Sequence, residues 1–209
     1  MSLTSMNRSL ALVLAMGLAS ISGMAFAQET TEAPAEAPAA PAADTGLNMG
    51  QAPADGPGST YVKEAFDSWE LRCVRVAEGD EPCQLYQLLK DQKGTSTAEI
   101  SMVALPEGGQ AAAGATIITP LETLLPANIT LQIDTAKPKV YPFTFCAPIG
   151  CVSRVGFTKA EIDALKKGAK ASMTIVPAAA PSQKVVLDIS LKGFTAGFDA
   201  VALENQPAP

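Results

Sequence analysis

From about Tyr61 onward, apolar residues recur at every second position in short runs, and each run is cut off by proline or glycine. Successive side chains of an extended strand point to opposite faces, so this period-two pattern makes strands with one buried and one solvated face. Trp69, Leu71 and Cys73 alternate with Glu70 and Arg72. Cys83 to Leu89 follows the polar turn Glu78-Gly79-Asp80-Glu81-Pro82, and the two runs read as a hairpin. Ala98 to Leu105 stops at Pro106-Glu107-Gly108-Gly109, and Ala115 to Thr119, Ile129 to Ile133, Val140 to Phe145, Ser172 to Val176 and Val185 to Leu191 are further strands. The expected fold is mainly β: an antiparallel β-sandwich, or a small barrel, with one or two short helices and a disordered N-terminal tail.

One segment breaks the alternation. Thr158-Lys159-Ala160-Glu161 has capping-box spacing, in which Thr158 accepts a backbone N–H and Glu161 reaches back to the cap. Ile162 and Leu165 give it an apolar side, Lys166 and Lys167 suit the negative end of the helix dipole, and Gly168 closes it. Residues 194–203 are ambiguous: Phe194, Phe198 and Val201 fit a helical face, but Gly197 weakens the pattern.

The N-terminal residues have a different composition. Arg8, the apolar run from Leu10 to Met24 and Ala25-Phe26-Ala27 before Gln28 read as a secretory signal peptide over residues 1–27. The competing reading is a membrane anchor, but the run is at the short end of what spans a bilayer and has no charged stop. Residues 28–59 are rich in Ala, Pro and Glu and lack Lys, Arg and aromatics, so they cannot bury enough apolar surface to offset chain entropy. An extended tail of this length reaches on the order of 100 Å at most. The folded domain is then 60–209. Export points to the periplasm, with surface association as a further option and no membrane span once the signal is removed.

The 209-residue chain has no histidine, which removes Ser-His-Asp and Cys-His catalysis and His-ligated metals. A net charge of −6 without Lys/Arg clusters argues against nucleic acid. Export places the four cysteines in an oxidising compartment, where disulfides are the default. Four cysteines allow three connectivities. Cys73 and Cys83 lie on the arms of the proposed hairpin, while Cys146 and Cys151 flank Ala147-Pro148-Ile149-Gly150, so pairing within each couple needs no long excursion. Loop closure of this size is worth about 2.8 and about 2.2 kcal/mol respectively. Neither spacing is the Cys-x-x-Cys of a redox-active helix start.

Four stretches are familiar in their order: Trp69-Glu70-Leu71-Arg72-Cys73 with Cys83; Thr119 to Asp134; Tyr141 to Cys151; and Ser190-Leu191-Lys192-Gly193-Phe194. Together they resemble the invasion-associated locus B (IalB) family of exported proteins, across about residues 66–203. The chain carries Asn128 where the family pattern often has Gly, and Ser153 where it often has Ala. The resemblance implies a β-rich periplasmic or surface-associated protein held by the two cysteine pairs. It brings no catalytic residue, metal or cofactor; the expected partner is an unidentified protein or envelope component.

Other site readings are weaker. Asp80/Glu81 lie in a turn, and Glu161/Asp163 point to different faces of a helix, so neither is a convincing carboxylate pair. Trp69 is in phase with Leu71 and Cys73, which favours a core position over an exposed anchor. Lys166, Lys167 and Lys170 fit a solvated helix end better than a polyanion site. The best interaction surface is the Pro142-Phe143-Thr144-Phe145 segment with its cysteine-stapled loop, represented by Phe143, Phe145, Pro148 and Ile149, because a preorganised loop loses little entropy on binding. The resulting expectation is a non-enzymatic envelope protein that works by contact. The alternative is a periplasmic carrier enclosing a small apolar ligand.

Overall fold

The computed structural model describes residues 55–206, so the expected signal peptide and most of the expected tail lie outside the described residues. Eleven strands among these residues form a single antiparallel sheet: β1 Thr60–Phe66, β2 Trp69–Val74, β3 Cys83–Asp91, β4 Ser96–Ala104, β5 Ala113–Thr119, β6 Ile129–Ile133, β7 Lys139–Tyr141, β8 Phe145–Ala147, β9 Gly150–Phe157, β10 Ala171–Ile175 and β11 Val185–Ile189. Along the sheet the order is β7-β6-β10-β11-β3-β4-β5-β9-β8, with β2 also on β3 and β1 on β2. The sheet curls until its two ends meet, Tyr141 of β7 facing Phe157 of β9 with ring centroids 6.4 Å apart. The result is a half-barrel, the barrel-like of the two expected closures.

The expected strand Val140 to Phe145 is two strands. Pro142 has no N–H to give a ladder, and the chain leaves β7 there, crosses the seam and re-enters the sheet as β8 beside β9. The crossing is tied down by Thr144 N–H donating to Val152 O at 2.7 Å and by Ser153 Oγ donating to Pro142 O at 2.8 Å. Ser153 is fully buried, and alanine, the residue often found here in the family pattern, cannot make this bond. The other departure also has a structural counterpart. Asn128 adopts φ +57°, where glycine carries no steric cost.

At β3 the sheet branches. Residues 83–86 of this strand pair with β2, and Leu187 and Asp188 of β11 pair with Asp91 and Lys90 farther along. Ser190, just past β11, therefore falls at the fork without a ladder partner on β3. The buried Gln87 side chain supplies one, its Oε1 accepting from Ser190 N–H at 2.9 Å and its Nε2 donating to Ser190 O at 3.0 Å. Trp69 Nε1 donates to the same carbonyl at 2.7 Å. Buried backbone groups must be paired, and here two side chains do it.

The concave face holds the core. Trp69, only 1% exposed, meets Phe194 edge-on at 5.3 Å, and Phe194 stacks on Phe198 at 5.6 Å. Both phenylalanines lie on α2, Phe194–Glu204, so the ambiguous C-terminal segment is a helix. Gly197 is not a weakness of that helix. A Cβ at this position would lie 2.6 Å from Leu85 Cδ1, so the absent side chain is what lets α2 sit against the sheet. Asn205, at the C-terminal end of α2, clasps the start of β3 by exchanging two hydrogen bonds with the Cys83 backbone, at 3.2 and 2.8 Å.

The helix α1, Lys159–Lys167, has the full capping box. Gly168 closes it as the C-cap, in extended geometry (φ −70°), and glycine is required because a Cβ would lie 2.8 Å from both Ala164 O and Asp134 Oδ2. Burial pushes the Glu161 carboxyl pKa up, but hydrogen bonds from Lys139 and Thr158 outweigh it and hold it below the ordinary value of 4.5. A lowered carboxyl pKa stabilises the fold above the unfolded value, and that stabilisation is lost as pH falls through the folded value. Stability measured by denaturant should therefore decline below about pH 4.5, and less steeply in Glu161→Gln. Thr158→Ala should cost about 1 kcal/mol at neutral pH.

Candidate functional site

The hairpin of β8 and β9 is stapled by Cys146–Cys151, and the β2–β3 hairpin by Cys73–Cys83. In each case the two cysteines are direct cross-strand partners, with Cα atoms 4.0 Å apart in the first and 4.1 Å in the second. No described cysteine is free. Cys73 and Cys83 are buried under the core, whereas Cys146 is open to solvent and only its partner is buried. The tight turn of the β8–β9 hairpin depends on Gly150, whose φ is +136° and whose Cβ would fall 2.4 Å from Thr119 O.

The predicted interaction residues divide into two sets. Phe143 is half-buried and packs on the core beneath the seam crossing, so it supports the loop. Phe145, Pro148 and Ile149 are exposed, Phe145 by 45% and Ile149 by 71%. Cross-strand register extends this patch over the convex face. Phe145 opposes Val152, Val152 opposes Ile118, Ile118 opposes Glu99, and Glu99 opposes Leu88, which is 45% exposed. Five strands at about 4.8 Å spacing make this row about 19 Å long. Its members are apolar except Glu99, and the exposed ones are its ends, Phe145 and Leu88, since Val152 is buried and Ile118 half-buried.

Glu99 is held by the neighbouring row. Tyr86 Oη donates to it at 2.9 Å, and Arg72 lies 3.3 Å above the Tyr86 ring while bridging to Glu70 at 2.7 Å. Burial and the bond to Glu99 both raise the Tyr86 pKa, so its hydroxyl stays a donor at neutral pH. The convex face thus carries an apolar row beside a fixed polar row, a pairing that suits contact with another macromolecule.

Sequence reasoning missed β9, which joins the stapled loop to the rest of this face. Its signal was visible in the alternation of Cys151, Ser153, Val155 and Phe157, all buried. Leu88 and Ile118 also went unassigned, because only register brings them beside Phe145. The carboxylates Asp80/Glu81 and Glu161/Asp163 form no cluster with other acids, and no group of three or more His, Cys, Asp or Glu among the described residues is placed to hold a metal. The concave face is filled by α2 and leaves a void of about 20 Å³ beside Trp69. No described helix is long and apolar enough to cross a membrane.

Comparison with known proteins bears on this arrangement. The family model described as invasion associated locus B (IalB) protein matches residues 69–202. An invasion protein B homologue of Brucella abortus is 31% identical over 147 residues, 69% of this chain and 81% of that protein. Invasion protein B of Bartonella bacilliformis is 24% identical over 143 residues, 66% of this chain and 73% of that protein. The crystal structure of invasion associated protein b from Bartonella henselae superposes with a TM-score of 0.52 at 20% identity, covering 66% of this chain and 92% of that one, and so shares the fold.

Proposed function

Because the chain belongs to the invasion associated locus B family, we propose that it is an exported, non-enzymatic protein of the periplasm or cell envelope that works through protein or envelope contacts. The observation that carries this reading is the exposed apolar side chains Phe145 and Ile149, set on a hairpin that Cys146–Cys151 and Gly150 hold in place, with exposed Leu88 on the same face. Apolar side chains cost free energy in water, and a rigid display of them binds with little further ordering. The two disulfides support an oxidising location. The relatives' names associate those proteins with invasion, and a contact role on a host or envelope surface is the form in which that association extends to this chain.

The test compares full-length protein, expressed with its own N-terminal segment, with the variant Phe145→Ser/Ile149→Ser. After in-cell photocrosslinking in the envelope, the wild type should give a reproducible adduct that the variant loses by tenfold or more, while both melt at similar temperatures. Identical adducts from both proteins would remove this face from the function. A turnover activity that disappears on a single substitution would remove the non-enzymatic reading.

A further inference from the structure

A second feature lies on the opposite side of the seam from the stapled hairpin. Where β7 and β9 face each other without a ladder, a cleft of about 510 Å³ opens beneath α1. This is within the range of about 300–1,000 Å³ usual for small-molecule sites. Its floor is apolar: Leu131, Ile133, Tyr141 and Phe157 from the sheet, and Ala160 and Ala164 from α1. Small alanines on the helix face leave this space open.

Its rim is basic. Lys137, Lys139 and Lys167 line the cleft together with Glu161 and Asp134. Both acids are already engaged. Glu161 Oε1 pairs with Lys139 Nζ at 2.6 Å while its other oxygen caps Thr158. Asp134 takes φ +45° and accepts the N–H groups of Ala169 and Lys170 at 3.1 and 2.9 Å. Lys137 and Lys167 have no acidic partner among the described residues. The turn carrying Lys137 is fixed, with Ala136 N–H donating to Ile133 O and Gln132 Nε2 donating to Ala136 O.

We infer that this cleft binds a single-chain amphiphile with one anionic head, of the class of a free medium-chain fatty acid. The acyl chain lies over Leu131, Ile133 and Phe157, and the carboxylate sits between Lys137 and Lys167. The charge complementarity selects the head, and the alanine-lined floor selects an unbranched chain. This inference is independent of the contact row on the convex face and uses none of its residues.

The test is calorimetric titration of the full chain with dodecanoate below its micelle concentration, with butyrate and the uncharged dodecyl maltoside as comparisons. Dodecanoate should bind at one site per chain, and butyrate, which lacks the chain length, should not bind detectably. Lys137→Glu/Lys167→Glu should weaken dodecanoate at least tenfold, and Ala164→Phe, which fills the floor, should do the same. The charge-reversal variant alters only exposed side chains and decides the matter even if Ala164→Phe fails to fold. Absence of dodecanoate binding, equal binding of the uncharged amphiphile, or affinity unchanged by charge reversal would each overturn the inference.

Discussion

Trp69→Ala is expected to cost about 3–5 kcal/mol of folding free energy, against a total of about 5–15 kcal/mol for domains of this kind. The indole contributes in two ways. Its ring fills the concave face against Phe194, and its Nε1–H satisfies Ser190 O at the fork of the sheet. Removing it opens a cavity beside an existing void of about 20 Å³ and takes one donor from a partly buried carbonyl. Trp69→Phe separates the two effects: it keeps most of the packing, and Ser190 O retains Gln87 Nε2, so the cost should be about 1–2 kcal/mol. Urea unfolding followed by circular dichroism measures both, since the only tryptophan is lost. A cost below about 1 kcal/mol for Trp69→Ala would mean that the ring does not anchor this core.

Removing the buried staple has the next largest effect. Cys73→Ala/Cys83→Ala should destabilise by about 3 kcal/mol, mostly through the freedom returned to the unfolded chain. The shorter Cys146–Cys151 loop should give about 2 kcal/mol. The two bridges also differ in access. Cys146 is exposed, while Cys73 and Cys83 lie under the core with Asn205 clasping the strand beside them. Limited reduction followed by alkylation and peptide mapping should label Cys146 and Cys151 well before the other pair. Equal labelling, or the reverse order, would contradict the placement of the two hairpins.

Local chemistry was legible in the sequence wherever a residue's role is decided by its chain neighbours. The Thr158–Glu161 capping box, the alternation through Trp69, Leu71 and Cys73, and the strand Ile129–Ile133 are of this kind. Roles decided across the sheet were not. Gly197 reads as a helix breaker until Leu85 is seen to need its space. The chain neighbours of Gln87 give no sign of its role, which is to complete the Ser190 backbone at the fork. The candidate surface was half visible for the same reason: Phe145, Pro148 and Ile149 are neighbours in the chain, while Ile118 and Leu88 join them only through register. The cleft under α1 was invisible because it is a gap between strands far apart in sequence.

The outermost strand at the stapled hairpin is three residues long, with Pro142 before it and Pro148 after it. Neither proline can donate a main-chain N–H, so a visiting polypeptide finds almost no free ladder to extend. Strand addition, a common route by which one chain captures another, is therefore closed at this margin. Recognition there has to proceed by side-chain fit, which also shields a greasy rim from runaway stacking of one copy on the next.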